Sequence, residues 1–118
     1  MKDLTELKQA LRQFTHERDW QQFHSPKNLV MALSVEASEL LECFQWLTEA
    51  QSKNLDTEQK QAVQEEIADV MCYLVRLADT LDIDILDAVA KKMVKNTEKY
   101  PVELAKGSAK KYTHYANS

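Results

Sequence analysis

The chain contains a single glycine, Gly107, which lies close to its carboxyl end. Tight hairpins and phosphate-cradling loops rely on glycine, because they need positive backbone φ angles or a close approach of the backbone. A chain with one glycine is therefore predicted to be all-α. Its 118 residues, 44% of them hydrophobic, suffice for the core of one ordinary domain, and we predict a single domain over 1–118.

Apolar side chains recur at helical spacing in four segments, and each segment is predicted to form one helix. The predicted helices are Leu4 to Asp19, Pro26 to about Ala50, Asp56 or Thr57 to Leu81, and Ile85 to the residue before Pro101. The first connection is predicted to be an aromatic loop at Trp20 to His24. A polar break at Gln51 to Thr57 and a short junction at Asp82 to Asp84 are the other two. The second helix has a good start, because Ser25 can cap it before Pro26. A basic tail over about 104–118 completes the chain.

Charge and hydropathy argue against two classes of partner. The formal net charge of −4 lacks the basic excess that nucleic-acid binders use, so long DNA or RNA is not expected to bind. The mostly apolar stretch Leu29 to Val35 is interrupted by Ser34 and is too short to span a bilayer. Cys43 and Cys72 lie far apart in helical patterns, which is typical of reduced thiols, and we predict a cytoplasmic location.

Four acidic residues occur as two pairs, each with the three-residue spacing that places both side chains on one helix face. Glu36 and Glu39 form the pair on the second predicted helix, and Glu66 and Asp69 form the pair on the third. Glu36 also lies within an apolar stripe, where a carboxylate loses hydration and needs a compensating cation. If the two helices pack antiparallel at about 8–10 Å, the four carboxylates converge, so we predict a divalent-metal site.

The ligand types favour magnesium or manganese as the metal. Di-iron bundles usually place a histidine three residues after a glutamate, whereas this chain has Glu39 and Asp69 at those positions. Ligands that are all oxygen suit magnesium and manganese. The non-enzymatic alternative is a helical interaction module. In such a module the carboxylates form salt bridges with lysines and bind no metal.

Aromatic residues near the acidic pairs are candidates for stacking on a base. Tyr73 and Trp46 follow the two pairs by one and two helical turns, so both are expected on the faces that carry the carboxylates. Trp20, Phe23 and His24 form a second aromatic group in the first loop. Plain packing beside the helical core is the competing interpretation of this second group.

Lys92, Asn96 and Lys99 follow a spacing of four and three residues on the fourth predicted helix. Such a stripe of hydrogen-bond donors can meet phosphate oxygens. The alternative is a solvated cationic face, because lysines near the carboxyl end of a helix also complement the helix dipole.

Four segments carry the longest recognisable motifs: ERDWQQFHSPKNL at 17–29, EASELLECFQW at 36–46, QEEIADVMCYLV at 64–75 and KMVKNTEKYP at 92–101. Together with the ending SAKKYT at 108–113, they resemble the MazG-like family of all-α nucleoside triphosphate pyrophosphohydrolases, and within it the dCTP pyrophosphatases. The resemblance covers nearly the whole chain, so it implies a shared fold and a shared chemistry.

The resemblance implies specific roles for individual residues. The ExxE and ExxD motifs of the family would hold magnesium here through Glu36, Glu39, Glu66 and Asp69. The residues implied to surround the nucleoside are Trp20, Phe23, His24, Trp46 and Tyr73. Asn96 would lie near the base or the sugar, and Lys92 and Lys99 would lie near the phosphates.

The resemblance also implies an assembly, a four-helix subunit in a homodimer or a homotetramer whose sites use residues of neighbouring chains. A second chain suits a small subunit that has little room for a deep cavity of its own. Leu11 departs from the pattern, because some relatives have a polar residue there that reaches the substrate. The resemblance therefore does not imply how this chain recognises the base and the sugar.

The activity that the resemblance implies is magnesium-dependent hydrolysis of dCTP, or of dCTP modified at the base, to the monophosphate and pyrophosphate. Such a reaction cleanses the nucleotide pool. Either Glu39 or Glu65 orients or deprotonates the attacking water, and the sequence does not choose between them. Hydrolysis of dUTP or of a broader range of noncanonical nucleotides is the enzymatic alternative, beside the non-catalytic module.

Overall fold

The structure is a computed structural model, and it describes residues 1–109. Its helices are α1 Leu4–Glu17, α2 Pro26–Glu42, α3 Glu49–Ser52, α4 Thr57–Thr80, α5 Ile85–Lys99 and α6 Val102–Ala105. A 3-10 turn, Gln21–Phe23, lies in the aromatic connection between α1 and α2. No strand occurs within the described residues, so the all-α prediction is confirmed. Most of the predicted basic tail at 104–118, with the 108–113 motif, lies outside the described residues.

All four long helices begin at a side chain that accepts a hydrogen bond from the backbone N–H three residues ahead. These N-cap residues are Asp3, Ser25, Asp56 and Asp84. The cap of α4 is reciprocal, because Gln59 also accepts a hydrogen bond from the backbone N–H of Asp56. Since each cap satisfies backbone groups that the helix leaves unpaired, these helix starts are encoded locally.

Helices α1 and α4 end in the same way. Asp19 and Asp82 have positive φ angles of 52° and 54°, and each follows the C-cap residue of its helix. In α4, the N–H of Ile83 then donates to the carbonyl of Ala78 at 2.8 Å, which closes a Schellman motif. Aspartate tolerates this left-handed conformation better than most residues, but glycine adopts it without steric cost.

The second helix ends earlier than the sequence predicts. It was expected to reach about Ala50, but α2 ends at Glu42, residues 43–46 form a turn, and the separate short helix α3 follows. The cause is a new helix start at Thr48, whose hydroxyl accepts from the N–H of Gln51 while the Gln51 side chain accepts from the N–H of Thr48. Because an N-cap residue needs an extended backbone, one continuous helix cannot pass through Thr48.

The chain divides into two compact units, residues 1–83 and the segment from Asp84 onward. In the first unit, α2 packs along α4, and α1 packs against α4 as well. Leu29, Val75 and Ala78 are the fully buried apolar residues of the described chain. The second unit contains α5 and α6. Among residues 1–109, no helix has the length and apolar character needed to cross a membrane.

Candidate metal centre

Helices α2 and α4 run antiparallel in the first unit and bring acidic side chains together. The start of α2 lies beside the end of α4, where His24 contacts Arg76, and the middles of the two helices meet at Glu36 and Glu66. One carboxylate oxygen each from Glu36, Glu39 and Glu66 lies within 4.8 Å of the other two. We call these three side chains the acidic cluster.

Two oxygen atoms of the acidic cluster are buried without a partner. Oε2 of Glu36 and Oε2 of Glu66 have almost no exposed surface, and neither makes a hydrogen bond. All three glutamates are half-buried, although glutamate usually prefers full solvation. Because buried oxygens are nearly always hydrogen-bonded, two buried acceptors without partners in one acidic cluster indicate a place where a cation is expected.

Crowding of the carboxylates is reflected in their proton affinities. Burial, contact with Glu39 and Glu66, and the charges of Glu39 and Asp69 raise the pKa of Glu36 to about 7. Burial, followed by the charges of Glu39 and Asp69, also raises the pKa of Glu66. Without a compensating positive charge, the cluster therefore holds a proton near neutral pH. None of the ion pairs between described residues involves these acids.

The donor set fits a hard divalent cation. Each of the three residues offers a carboxylate oxygen, and neither a thiolate nor an imidazole belongs to the cluster. Oxygen ligands suit magnesium, calcium and manganese, whereas sulfur and nitrogen suit zinc and iron. A cation held by the three carboxylates would offset the cost of burying oxygens that have no hydrogen-bond partner. The residues present therefore fit the metal that the sequence predicts.

Asp69, the fourth predicted ligand, is placed differently from the other three. Its side chain is exposed and lies outside the acidic cluster, yet its charge contributes to the raised pKa values of Glu36 and Glu66. It also contributes, after burial, to the raised pKa of the Cys72 thiol. Asp69 thus lies near the cluster on the solvent side, within electrostatic range.

Glu65, one of the two candidate bases, faces solvent beside the cluster. It is exposed and accepts a hydrogen bond from Nε2 of Gln61 at 3.3 Å. Adjacent residues on a helix point about 100° apart, so Glu65 does not share the face of Glu66. Glu39, the other candidate, belongs to the acidic cluster itself.

The aromatic connection before α2 forms a small group of rings. Trp20 packs edge-on against Phe14 with ring centroids 5.7 Å apart, and its centroid lies 6.5 Å from that of His24. His24 is half-buried, whereas Phe23 has 58% of its surface exposed. The predicted group therefore divides into Trp20 and His24, which are in contact, and Phe23, which points outward.

The other two predicted aromatic contacts lie on different elements. Tyr73 is half-buried on α4, one turn beyond Asp69, as predicted. Trp46 is not on α2, because α2 ends at Glu42, and its side chain is 86% exposed in the following turn. The expectation that Trp46 shares a helix face with Glu39 is therefore wrong for the single chain.

The predicted phosphate contacts belong to the second unit. Lys92, Asn96 and Lys99 lie on α5 at the expected spacing. Lys92 and Asn96 are exposed, and Lys99 is half-buried. Their roles stay predictions.

Sequence reasoning missed a polar network around the buried Arg76, which links α1, α4 and the connection before α2. Arg76 is only 8% exposed and contacts both Asp79 and His24, and Arg12 pairs with the same aspartate. One signal for it was present, since Arg76 is the single charged residue in the apolar run from Val70 to Ala78. A charge inside such a run is expected to have a buried partner.

Comparisons with known proteins find one matching family model and several similar proteins. The model of the MazG-like family matches residues 31–114. The dCTP pyrophosphatase 1 proteins of Rattus norvegicus and Homo sapiens are 44% and 42% identical to the chain in alignments of 112 residues that cover 93% of the chain. The chain spans 66% of the length of these relatives, just under two thirds. The crystal structure of a pyrophosphatase from Archaeoglobus fulgidus DSM 4304 is 44% identical, with a TM-score of 0.78, and the match covers 82% of this chain and 91% of that one.

Proposed function

The chain belongs to the MazG-like family, as its motifs predicted, and from this premise we propose that it hydrolyses a nucleoside triphosphate to the monophosphate and pyrophosphate. One observation carries the proposal. The acidic cluster holds three carboxylates within 4.8 Å, and two of their oxygens are buried without a hydrogen-bond partner. An arrangement that opposes folding in this way is typical of a site built for a ligand.

The ion held by the cluster is, in our proposal, magnesium. Glu36, Glu39 and Glu66 are its ligands, and Asp69 completes the set from the solvent side. When bound, the ion supplies Lewis acidity and positive charge at the triphosphate, where negative charge accumulates during cleavage. The proton that Glu36 holds near neutral pH must leave before the ion binds.

Of the two candidate bases, we favour Glu39 over Glu65. Glu39 belongs to the cluster and is half-buried, so it can accept a hydrogen bond from a water molecule beside the phosphate chain. Glu65 is exposed and already accepts from Gln61. Orientation of the attacking water requires a group within hydrogen-bond reach of it, and the cluster geometry supports Glu39 in that role.

We propose dCTP, or dCTP modified at the base, as the substrate. Two relatives carry the name dCTP pyrophosphatase 1, and this chain has two aromatic rings in contact, Trp20 and His24, at the end of α2 nearest Arg76. The partly exposed face of Trp20 can stack on a base. Tyr73, Phe23 and Trp46 remain further candidates for this pocket, and Lys92, Asn96 and Lys99 for the sugar and phosphates.

The active species is, in our proposal, a homodimer or a homotetramer. Large apolar side chains of the first unit stay exposed in one chain, among them Met31 and Val35 on α2 and Ile67 on α4. So few fully buried apolar residues give a single chain little hydrophobic stabilisation. A partner chain that covers these side chains would also explain the exposure of Trp46, which can then face a neighbouring site.

A product analysis with a panel of triphosphates tests the reaction and the substrate together. The protein is incubated with magnesium and equal concentrations of dCTP, a base-modified dCTP, dUTP and a noncanonical triphosphate, and the products are identified. We expect pyrophosphate and dCMP as the main products. Release of orthophosphate would contradict the cleavage position, and a preference for dUTP would reject the substrate assignment.

Calorimetry separates the enzyme from the non-catalytic alternative. Titration with magnesium and a nonhydrolysable dCTP analogue is expected to show binding of both. Absence of magnesium binding at millimolar concentration, together with absence of turnover, would favour a helical interaction module. Sedimentation velocity over a range of protein concentrations tests the assembly, and a monomer at all concentrations would reject it.

A further inference from the structure

Arg76 is a buried cation that the proposed chemistry does not use. It lies on α4, 8% exposed, and its guanidinium makes two contacts with described side chains. Nη1 donates to Oδ2 of Asp79 at 3.4 Å, and Nε donates to Nδ1 of His24 at 3.4 Å. Because this buried guanidinium donates a hydrogen bond to the imidazole, it constrains the orientation and the proton position of that ring.

The contact between Arg76 and His24 determines where the imidazole carries its proton. A guanidinium has N–H donors and no acceptor, so Nδ1 of His24 must be the unprotonated, accepting nitrogen. The single proton of the neutral ring then lies on Nε2. Burial and the charge of Arg76 both lower the pKa of His24, which keeps the ring neutral. The ring therefore presents Nε2–H, a neutral donor, at its other edge.

Arg76 is itself held in place by a second ion pair. Asp79 accepts from Nε and Nη2 of Arg12 at 2.7 Å and 2.6 Å, a bidentate pair that links α1 to α4. The hydrogen bond from Arg12 lowers the pKa of Asp79, so this carboxylate stays ionised. The chain of contacts from Arg12 through Asp79 and Arg76 to His24 thus joins α1, α4 and the start of α2.

We propose that Arg76 is a positioning residue, which fixes His24 as an Nε2–H donor for an acceptor atom of the bound nucleotide. The part concerning the nucleotide rests on the proposed function, whereas the part concerning the proton position rests on the contact alone. His24 lies beside Trp20, so a base stacked on Trp20 would lie close to this donor. A fixed donor favours an acceptor and rejects another donor, because two facing N–H groups would both be left unpaired.

The first test is ¹⁵N NMR of the histidine rings in the full chain at a pH where they are neutral. His24 signals are assigned with a His24→Asn variant. We expect the wild-type spectrum to show a single tautomer, with the proton on Nε2. In Arg76→Met, which keeps side-chain length without a donor, both nitrogens should shift toward the exchange-averaged values of an unrestrained imidazole. Arg76→Lys, whose ammonium also has donors and no acceptor, should restore the wild-type pattern.

Steady-state kinetics with dCTP tests the role toward the nucleotide. Arg76→Met should raise KM about tenfold with little change in kcat, because a binding contact common to ground state and transition state is weakened. Arg76→Lys should recover most of this loss. Arg18→Met is the matched control, since Arg18 lies over the Phe14 ring and contacts neither His24 nor Asp79, and its KM should stay unchanged.

The outcomes separate this inference from the proposed function. An averaged or Nδ1–H tautomer in the wild-type protein would overturn the inference, and so would an Arg76→Met protein with unchanged ring signals and unchanged KM. The wild-type spectrum decides this even where Arg76→Met does not fold. Absence of turnover with every triphosphate would instead reject the proposed function, while the proton position on His24 would still be decided by the spectra.

Discussion

Oε2 of Glu36 and Oε2 of Glu66 are buried at the contact between α2 and α4, and neither oxygen has a hydrogen-bond partner among the described residues. Two buried acceptors without partners destabilise the packing of the two helices against each other. An unsatisfied buried polar group costs about 1–3 kcal/mol, so the pair lowers the stability of the metal-free chain.

Replacement of Glu36 by glutamine should separate activity from stability. The Glu36→Gln variant keeps the side-chain volume, removes one negative charge and adds an amide donor toward Glu39 and Glu66. We expect kcat/KM for triphosphate hydrolysis to fall on the order of 100-fold or more, because a metal ligand is lost. We expect the metal-free melting temperature to rise by a few degrees, equivalent to about 1 kcal/mol.

Glu42→Gln is the matched control for this variant. Glu42 is the last residue of α2, is exposed and lies outside the acidic cluster. Activity and melting temperature should both stay near the wild-type values, as is usual for surface substitutions. Undiminished turnover in Glu36→Gln would reject the proposed site, whatever the effect on stability.

The raised pKa of Glu36 predicts a pH-dependent response to magnesium. A carboxyl group whose pKa is raised to about 7 in the folded state, from 4.5, stabilises folding while it is protonated. This stabilisation is complete below the unfolded pKa and is lost as the pH rises through the folded pKa. The metal-free protein should therefore lose Glu36-dependent stability between about pH 5 and pH 7.5, and added magnesium should raise the melting temperature more at the upper end.

Thermal denaturation with EDTA or with magnesium, at several pH values across this range, provides the measurement. The lowered pKa of His24 acts in the opposite sense over part of the range, so Glu36→Gln is compared with the wild type at each pH. The difference between the two melting curves isolates the contribution of Glu36. An increment from magnesium that does not vary with pH would contradict the prediction.

The left-handed backbone at Asp82 predicts a stabilising substitution. Asp82 has a φ angle of 54° at the end of α4, where glycine has no steric penalty. Asp82→Gly should stabilise the chain by about 0.5–1 kcal/mol, after the larger entropy of glycine in the unfolded state is subtracted. Asp84→Ala, two residues later, should instead destabilise by about 1 kcal/mol, because Asp84 caps α5. Urea denaturation of both variants measures the contrast.

Substitution of Leu29 measures how much the small core contributes to the free energy of unfolding. Its side chain is 1% exposed, the lowest of the fully buried apolar residues. Leu29→Ala should reduce the free energy of unfolding by about 2–5 kcal/mol through lost burial and a residual cavity. Lys27→Ala on the same helix, at an exposed position, should change it by less than about 0.5 kcal/mol. Equal effects of the two substitutions would mean that Leu29 is not part of the stabilising core.

Much of the fold was predictable because its signals are local. Ser25 before Pro26 marked the start of α2 correctly, and Asp56, one of the two cap candidates, marked the start of α4. The end of α2 was not predicted, because the apolar spacing continues past Glu42 and outweighs the capping signal at Thr48. Periodicity reports which face is apolar, and it does not report whether the backbone remains helical.

The candidate site shows the same division between local and distant information. The three-residue spacings of Glu36 with Glu39 and of Glu66 with Asp69 were visible in the sequence, and three of the four acids converge. That Asp69 is exposed, while Glu66 has a buried oxygen, depends on how α4 packs against α2. Spacing along one helix cannot fix its rotation relative to another, and that rotation decides which of two neighbouring acids is covered.

Helix α4 extends without interruption over 24 residues and carries Glu66 and Asp69 as well as Arg76. Seven residues separate Asp69 from Arg76, about 10 Å at the rise of an α-helix. The helix is continuous over this interval, so a single rigid element sets the distance from the acids of α4 to the guanidinium that holds His24. If the proposed function is correct, an intact nucleotide would extend from the metal to His24, whereas pyrophosphate would reach the metal end alone. Cleavage would then divide the contacts between two smaller products, which favours their release.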